Sequence, residues 1–269
     1  MKGRPRAPLL FAPETCVGRG RGMRTLAGAS SRRAGRYNGS MDSTSTHISS
    51  SAQFSAERRL RPDGRAAVGL TGGVASGKSL ALEMFAALGA QTISSDAIVH
   101  RLYERAEIQM ALHARFGAEV IGASGKVDRA VLGRLVMGNE KELLALESLV
   151  HPRVARDIED FLTGGVPGDV RVCEVPLLFE SGLQSHFDLV ATLEAPREVR
   201  RERASSRVGA EAFDFLDARL AGEEERVAGA DFAYTNDGTV EDLAEFVSEV
   251  YEAAKRVASG ELWRVLGGE

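Results

Sequence analysis

The sequence predicts an α/β fold in which helices cover both faces of a five-stranded parallel sheet. Short apolar runs of strand length alternate with longer segments whose apolar residues recur every three or four positions. Strands separated by helices imply crossover connections, which build parallel sheets. A glycine-rich loop follows the first apolar run, and such sheets bind ligands at the carboxyl ends of their strands.

Five segments predict the strands, because each is a short apolar run bounded by turn or loop residues. They are residues 65–70, 91–94, 170–175, 187–193 and 230–235. A final apolar period over about residues 240–258 predicts a closing helix with one apolar side.

Two helices are predicted beside the first two strands. Residues 79–88 show an apolar period of three and four, and Gly89 is suited to end that helix. Another helix begins after residues 91–94, where Ser95 or Asp96 can serve as its N-cap.

A mainly helical region is predicted between the second and third strands. Residues 106–163 carry repeated apolar faces and one break at residues 122–125. Asp128 is the expected N-cap of the helix after that break.

The chain divides into a basic extension and an acidic body. Residues 1–65 hold 13 Lys and Arg against 4 Asp and Glu, although the whole chain has a net charge of −4. Residues 1–63 are rich in Arg, Gly and Ser without a hydrophobic period, so we expect them to be disordered and residues 64–269 to form one domain. A transit peptide, a misplaced start codon and a nucleic-acid arm are alternatives. The acidic body argues against a nucleic-acid partner.

Two global features indicate a cytoplasmic protein. No apolar run approaches the roughly 18 residues that span a bilayer, so no membrane partner is expected. Cys16 and Cys173 lie far apart and show no metal-binding spacing, which suits a reducing compartment. An organellar location is the alternative if residues 1–63 are a transit peptide.

The loop after the first strand fits the phosphate-binding pattern G-x-x-x-x-G-K-[ST] at every fixed position. Its glycines allow backbone amides to surround phosphate oxygens, Lys78 would reach the β- and γ-phosphates, and the Ser79 hydroxyl would bind Mg²⁺. The prediction is a P-loop nucleoside-triphosphate hydrolase core that uses ATP and Mg²⁺. The predicted nucleotide-binding residues of this segment are Gly72, Gly73, Val74, Ala75, Ser76, Gly77, Lys78, Ser79 and Leu80.

Asp96 is the candidate general base. It lies just past the second strand, on the γ-phosphate side of the loop in this topology. Phosphoryl transfer to a hydroxyl gains from a carboxylate that orients the nucleophile and accepts its proton. The alternative is that Asp96 only caps its helix.

An arginine-rich stretch follows the fourth strand. Arg200, Arg203 and Arg207 are spaced three and four apart, so they share one face of a helix. A cationic face here suits a lid that closes on phosphates and neutralises charge on the transferred group. The alternative is a solvated face paired with nearby glutamates.

Three further residues are candidates for the site. Glu174 ends the third strand, at the place of an acid that helps to hold Mg²⁺. Glu180 and His151 are candidates for acceptor binding. Either Glu174 or Glu180 could instead be an ordinary capping or ion-paired acid. His151 precedes Pro152, and a histidine in that place more often marks the start of a helix.

Together these residues resemble the dephospho-coenzyme A kinases over about residues 66–258. Six motifs match in order and at compatible spacing. Residues 70–79 are similar to the family's L-T-G-G-I-G-S-G-K-S, and residues 93–96 occupy the place of its I-D-A-D. The other matches are L-x-H-P at 149–152, V-P-L-L-F-E at 175–180, R-x-x-x-R at 203–207 and A-D…N-x-G at 230–238.

The resemblance implies that ATP phosphorylates the 3′-hydroxyl of the ribose of dephospho-CoA, giving CoA and ADP, the last step of CoA synthesis. It also implies a nucleotide-kinase core, a helical acceptor-binding insertion at about residues 97–165 and a mobile lid at about residues 197–228. The roles that it implies are general base for Asp96, binding of ATP phosphates for Lys78, stabilisation of the transferring charge for Arg203 and Arg207, and a place by the adenine for Asn236.

The chain departs from the family pattern at several positions. Ser94, Leu80, Arg200, Gly222 and Glu174 stand where the family commonly has Asp, Thr, Gln, Gln and Asp. These departures leave the phosphate loop, the base and the lid arginines in place. We expect them to affect contacts with the acceptor and the reaction rate more than the class of reaction.

Other functions are weighed against this one. Another small-molecule or nucleoside kinase on the same core is the alternative, since it would share the loop, the base and the lid. A GTPase switch would need N-K-x-D and a transporter ATPase L-S-G-G-Q, and the sequence has neither. A binding module that has lost catalysis is supported only by Ser94 and Leu80.

Overall fold

A parallel sheet lies at the centre of the protein, and the computed structural model describes residues 48–49, 64–205 and 208–261. The described strands are β1 (Ile48–Ser49), β2 (Ala66–Gly72), β3 (Gln91–Ser94), β4 (Val170–Glu174), β5 (Leu189–Glu194) and β6 (Phe232–Thr235). The described α-helices are α1 (Lys78–Ala87), α2 (Ser95–Tyr103), α3 (Ala106–Phe116), α4 (Arg129–Val136), α5 (Glu140–Thr163), α6 (Arg197–Ser205), α7 (Ala210–Asp217), α8 (Glu223–Gly229) and α9 (Val240–Ala258).

The five longer strands run parallel in the order β3-β4-β2-β5-β6, which confirms the predicted sheet. Val68 on β2 lies opposite Val172 of β4 and Leu189 of β5, so β2 is central. Because β3 and β4 lie on one side of β2 and β5 and β6 on the other, the loop after β2 lies where the strand order reverses. Open α/β sheets bind ligands at that point.

β1 adds a short antiparallel edge to this sheet. Ile48 pairs with Tyr234 and Ser49 with Ala233. These two residues fall within the segment predicted to be disordered, and at these positions the structure departs from that prediction. The rest of residues 1–63 lies outside the described residues, as does Cys16, so disorder there stays a prediction.

Helices bury both faces of the sheet, which explains why the strands read as continuous apolar runs: all seven residues of β2 are buried. On one face α1 and α9 pack against β2, β5 and β6, and the Tyr234 ring stacks on Phe246 with centroids 5.1 Å apart. On the other face α2 to α5 pack together around Ile98, Leu102 and Leu146. None of the described helices is long and apolar enough to span a bilayer.

The helical region between β3 and β4 differs from its prediction in two ways. It breaks at residues 117–128 and again at 137–139, where one break was expected. α5 also continues through Pro152, so the interpretation of His151 as a helix start is wrong. α5 buries apolar residues before and after the proline, such as Val150 and Val154, and this packing outweighs the roughly 3 kcal/mol that an internal proline costs.

Candidate active site

Two glycines of the loop after β2 lie where no side chain fits. Gly72 has φ 137°, and a Cβ on it would lie 1.9 Å from the Leu193 carbonyl oxygen. Gly77 has φ 107°, and its Cβ would lie 2.3 Å from Nδ2 of Asn236. The loop therefore lies directly against the end of β5 and the residues after β6. Gly77 is also the N-cap of α1, so the loop leads into a helix N-terminus that favours anions.

Lys78 is buried at the start of α1 with only 7% of its surface exposed. Its Nζ donates to the carbonyl oxygens of Gly72 at 3.1 Å and Gly73 at 2.7 Å. Burial lowers the pKa of Lys78, and nearby carboxylates oppose that shift. These carboxylates belong to Glu174, Glu194 and Asp96. The predicted phosphate-binding cation therefore lies among acids at the carboxyl edge of the sheet.

Asp96 lies half-buried in the first turn of α2. Its pKa is raised to about 7, first by burial and then by the charge of Glu174, while the charges of Lys78 and Arg129 oppose the rise. The strand register explains why Asp96 and Glu174 lie close together, because Ser94 at the end of β3 pairs with Glu174 at the end of β4. A carboxyl group with a pKa near neutrality can accept a proton at physiological pH.

The N-cap of α2 is Ser94, so the expectation of Ser95 or Asp96 is wrong. The Ser94 hydroxyl accepts a hydrogen bond from the Ala97 amide at 3.3 Å. Aspartate and serine are comparable N-caps, so serine can replace the family's aspartate here without loss of the cap. Since the cap is elsewhere, the Asp96 carboxyl is not needed for it. The expected N-cap of α4 is confirmed, since Asp128 accepts from the Val131 amide at 3.0 Å.

Ser79 and Glu174 fit the binding of Mg²⁺ beside ATP. Both offer oxygen ligands, which Mg²⁺ prefers, with Ser79 exposed in the first turn of α1 and Glu174 buried at the end of β4. Within the described ranges, no group of three His, Cys, Asp or Glu could hold a metal ion. An ion with one carboxylate and one hydroxyl from the protein would take its remaining ligands from water and the phosphates of the substrate.

Asn236 fastens the segment after β6 to the phosphate loop. Its side-chain Nδ2 donates to the Ser76 carbonyl oxygen at 2.7 Å. Its backbone N–H donates to the Glu194 carbonyl oxygen, also at 2.7 Å. Arg203 of α6 donates to the Asn236 carbonyl oxygen at 3.2 Å. The structure thus brings Asn236 and Arg203, both predicted from the sequence, to one side of the loop.

Arg200 is buried, with 5% of its surface exposed, and connects the segment 197–228 to the phosphate loop. Its Nε donates to the Ala195 carbonyl oxygen at 2.9 Å, and its guanidinium pairs with Asp217 of α7. The side chain lies so close to Gly73 that a Cβ there would be 2.9 Å from it. The arginine that replaces the family's glutamine is therefore a structural contact between the two segments.

The other described arginines of residues 197–207 are exposed, unlike the buried Arg200. Arg197 and Arg201 are exposed and pair with Asp214 of α7. Their partners are thus aspartates of the next helix and not the glutamates considered from the sequence. Arg207, the second predicted lid arginine, lies outside the described residues, so its role stays a prediction.

Glu180 and His151, the acceptor-binding candidates, are each half-buried. The Glu180 carboxylate accepts a hydrogen bond from the amide of Ala221, at the far end of the segment 197–228. His151 lies on α5 one turn after Glu147, and Glu147 pairs with Arg219 at 3.2 Å. Both candidates therefore lie near contacts that join this segment to the rest of the protein, and their role toward the acceptor stays a prediction.

Glu194 is a site residue that the sequence patterns did not reveal. It ends β5, is 1% exposed, and accepts from Nε of Arg226 and from the Thr192 hydroxyl, at 2.7 and 2.8 Å. The available signal was a charged residue at the carboxyl end of an otherwise apolar strand. Its carboxylate acts electrostatically on Lys78, so it belongs to the charge balance of the site.

The chain is similar to known proteins over most of its described length. The sequence model of the dephospho-CoA kinase family matches residues 66–242, more than half of the chain. A dephospho-CoA kinase of Thermobifida fusca is 37% identical over 193 residues, covering 70% of this chain and 96% of that protein. Another, from Anaeromyxobacter dehalogenans, is 38% identical over 183 residues, covering 66% and 86%.

A solved structure shows the same fold. The crystal structure of TT1252 from Thermus thermophilus superposes with a TM-score of 0.60 at 30% sequence identity. The superposition covers 70% of this chain and 97% of that one.

Proposed function

The chain belongs to the dephospho-CoA kinase family, and from this membership we propose that its site transfers the γ-phosphoryl group of ATP to the 3′-hydroxyl of dephospho-CoA. The products are CoA and ADP. The chain is thus an ATP-dependent phosphotransferase with an alcohol as acceptor.

One observation carries the proposal. Lys78, Asp96 and Glu174 come from three separate segments, yet they lie within electrostatic range of one another at the carboxyl edge of the sheet. A phosphate-binding cation, a carboxyl group of near-neutral pKa and a second acid are the groups that phosphoryl transfer to a hydroxyl needs. Their convergence supports the proposal that donor and acceptor meet at this edge of the sheet.

Asp96 moves the proton in the proposed reaction. As the 3′-oxygen of the acceptor forms its bond to the γ-phosphorus, the hydroxyl proton passes to the Asp96 carboxylate. The bond between the γ-phosphorus and the oxygen that bridges to the β-phosphate breaks, and ADP leaves with that electron pair. The role requires the ionised form of Asp96, which the charges of Lys78 and Arg129 favour.

Lys78 and Arg203 act on charge. The Lys78 ammonium, which contacts two carbonyl oxygens of its own loop, would turn to the β- and γ-phosphates of ATP. Arg203 is exposed beside Asn236 and would stabilise the negative charge on the transferred group. Ser79 and Glu174 would hold Mg²⁺, which when bound neutralises phosphate charge.

A cytoplasmic location remains a prediction, to be tested by cell fractionation.

The proposal is tested by measuring ADP release from the purified full-length chain with ATP and Mg²⁺. Dephospho-CoA, adenosine and pantothenate serve as acceptors in parallel, and a reaction without acceptor measures background hydrolysis of ATP. We expect kcat/KM to be highest with dephospho-CoA. Faster turnover of adenosine or pantothenate would instead identify another small-molecule kinase on this core.

A further inference from the structure

A second polar cluster lies beside Asp96, away from the phosphate loop. Asp96 is near the start of α2 and Tyr103 is its last residue. The two residues are seven positions apart, so they lie on the same face of the helix about two turns from each other. Tyr103 is 5% exposed, and its hydroxyl has no hydrogen-bond partner within the described ranges.

Arg129, the first residue of α4, faces this helix from the insertion. Burial raises the pKa values of Asp96 and Tyr103, and the charge of Arg129 opposes both rises, so the guanidinium lies within electrostatic range of each. Its Nε is buried without a hydrogen-bond partner among the residues described. Arg105 and Arg115 of the same insertion, by contrast, pair with Asp157 and Glu142 at 3.0 and 2.7 Å.

The local fold holds Arg129 in this position. A short antiparallel bridge joins Ile121 to Val127, and the Asp128 amide donates to the Val120 carbonyl oxygen at 2.8 Å. The Asp128 carboxylate then caps α4 by accepting from the Val131 amide. Backbone contacts before Arg129 and the cap of α4 after it therefore fix the position of the Arg129 backbone.

These two buried donor atoms, which find no hydrogen-bond partner among the described residues, need an explanation. Leaving such groups unsatisfied costs about 1–3 kcal/mol each, and more for a charged group. A guanidinium and a phenol hydroxyl both donate hydrogen bonds, and a guanidinium binds phosphate oxygens in pairs. The cluster therefore suits a phosphate anion held close to the Asp96 carboxyl group.

We propose that Arg129 and Tyr103 form the subsite for the acceptor's own phosphate groups, the diphosphate of dephospho-CoA. This inference rests on the proposed function. The hydroxyl that reacts and the carbon that carries the diphosphate belong to the same ribose, so the phosphate site must lie close to the base that takes the proton. Two helical turns, about 11 Å, is a separation that the ribose and its diphosphate can span. Arg129 acts on the acceptor directly and distinguishes a nucleotide acceptor from a nucleoside.

The test compares Michaelis constants in full-length variants. Arg129→Ala removes the proposed phosphate contact, Arg129→Lys keeps the charge without the paired donors, and Tyr103→Phe removes only the hydroxyl. Arg134→Ala is the matched control, since Arg134 is an exposed arginine on the same helix. Equilibrium unfolding of each variant identifies any that fail to fold. If Arg129→Ala does not fold, the KM values of Arg129→Lys and Tyr103→Phe for dephospho-CoA decide the question.

We expect Arg129→Ala to raise KM for dephospho-CoA by about 10- to 100-fold, the worth of charge-assisted hydrogen bonds, with KM for ATP unchanged. Arg129→Lys and Tyr103→Phe should raise it less, and Arg134→Ala should leave it unchanged. An equal rise in both Michaelis constants, or an unchanged KM for dephospho-CoA, would overturn the subsite. Since the wild-type rate with dephospho-CoA is measured in the same experiment, failure of the subsite is distinguishable from failure of the proposed function.

Discussion

The guanidinium of Arg226 donates to both carboxylate oxygens of Glu194, and both side chains are buried. The pair joins α8, in the segment 197–228, to the end of β5 beside the phosphate loop. Each charge offsets the cost of burying the other. Burial alone would lower the pKa of Arg226, but the Glu194 carboxylate raises it. This contact fixes one end of the predicted lid.

Arg226→Met should destabilise the fold strongly. The substitution keeps an unbranched side chain but leaves the Glu194 carboxylate buried without its cation, which typically costs about 3–5 kcal/mol. Urea unfolding measures the free energy, with Arg256→Met on the exposed face of α9 as the control. A loss no greater than that of the control would show that Glu194 is compensated in another way.

Asp96→Asn should reduce kcat by about 10²–10⁴, the usual contribution of a general base. The amide keeps the shape of the side chain, and the N-cap of α2 is unaffected because Ser94 supplies it. Binding of ATP, measured by calorimetry, should therefore change little. An unchanged kcat would remove Asp96 from the reaction.

The pH dependence of kcat/KM should report the ionisation of Asp96. Because its pKa is raised from 3.8 to about 7, most of the group is protonated below pH 7 and cannot accept the hydroxyl proton. The value of kcat/KM for dephospho-CoA should thus rise with pH, reach half its maximum near pH 7 and level off about one pH unit higher. The same limb in Asp96→Asn would assign it to another group.

Arg200→Gln, which restores the residue common in the family, should loosen the contact between α7 and the phosphate loop. Glutamine cannot form the ion pair with Asp217, and hydrogen bonds to charged groups contribute about 1.5–3 kcal/mol. Hydrogen exchange of the α7 amides should become about 10- to 100-fold faster, as the local stability falls. Arg201→Gln is the control, because the pair that Arg201 forms with Asp214 of α7 is exposed and contributes little to stability. Equal exchange in both variants would contradict the role of Arg200.

Much of the fold could be predicted from local pattern. The five parallel strands and the closing helix at 240–258 were confirmed, because strand length, apolar period and glycine placement are local properties of the chain. The phosphate loop was recognisable since its geometry requires glycine at fixed positions, as Gly72 and Gly77 show.

The parts that could not be predicted depend on tertiary contacts. Helix α5 continues through Pro152 because packing on both sides of it outweighs a local rule. Glu194, Arg129 and Tyr103 have no distinctive neighbours in sequence, and only the fold brings them to the site. Ser94 caps α2 because the helix begins one residue earlier than its pattern indicated.

Identification of the phosphorylated product tests the central claim most directly. Wild-type protein is incubated with ATP, Mg²⁺ and dephospho-CoA, and the position of the new phosphate is determined by phosphorus NMR and fragment mass spectrometry. We predict a single phosphomonoester on the 3′-oxygen of the ribose, formed together with one equivalent of ADP. A phosphate at any other position, or ADP formed without transfer to dephospho-CoA, would contradict the proposed function.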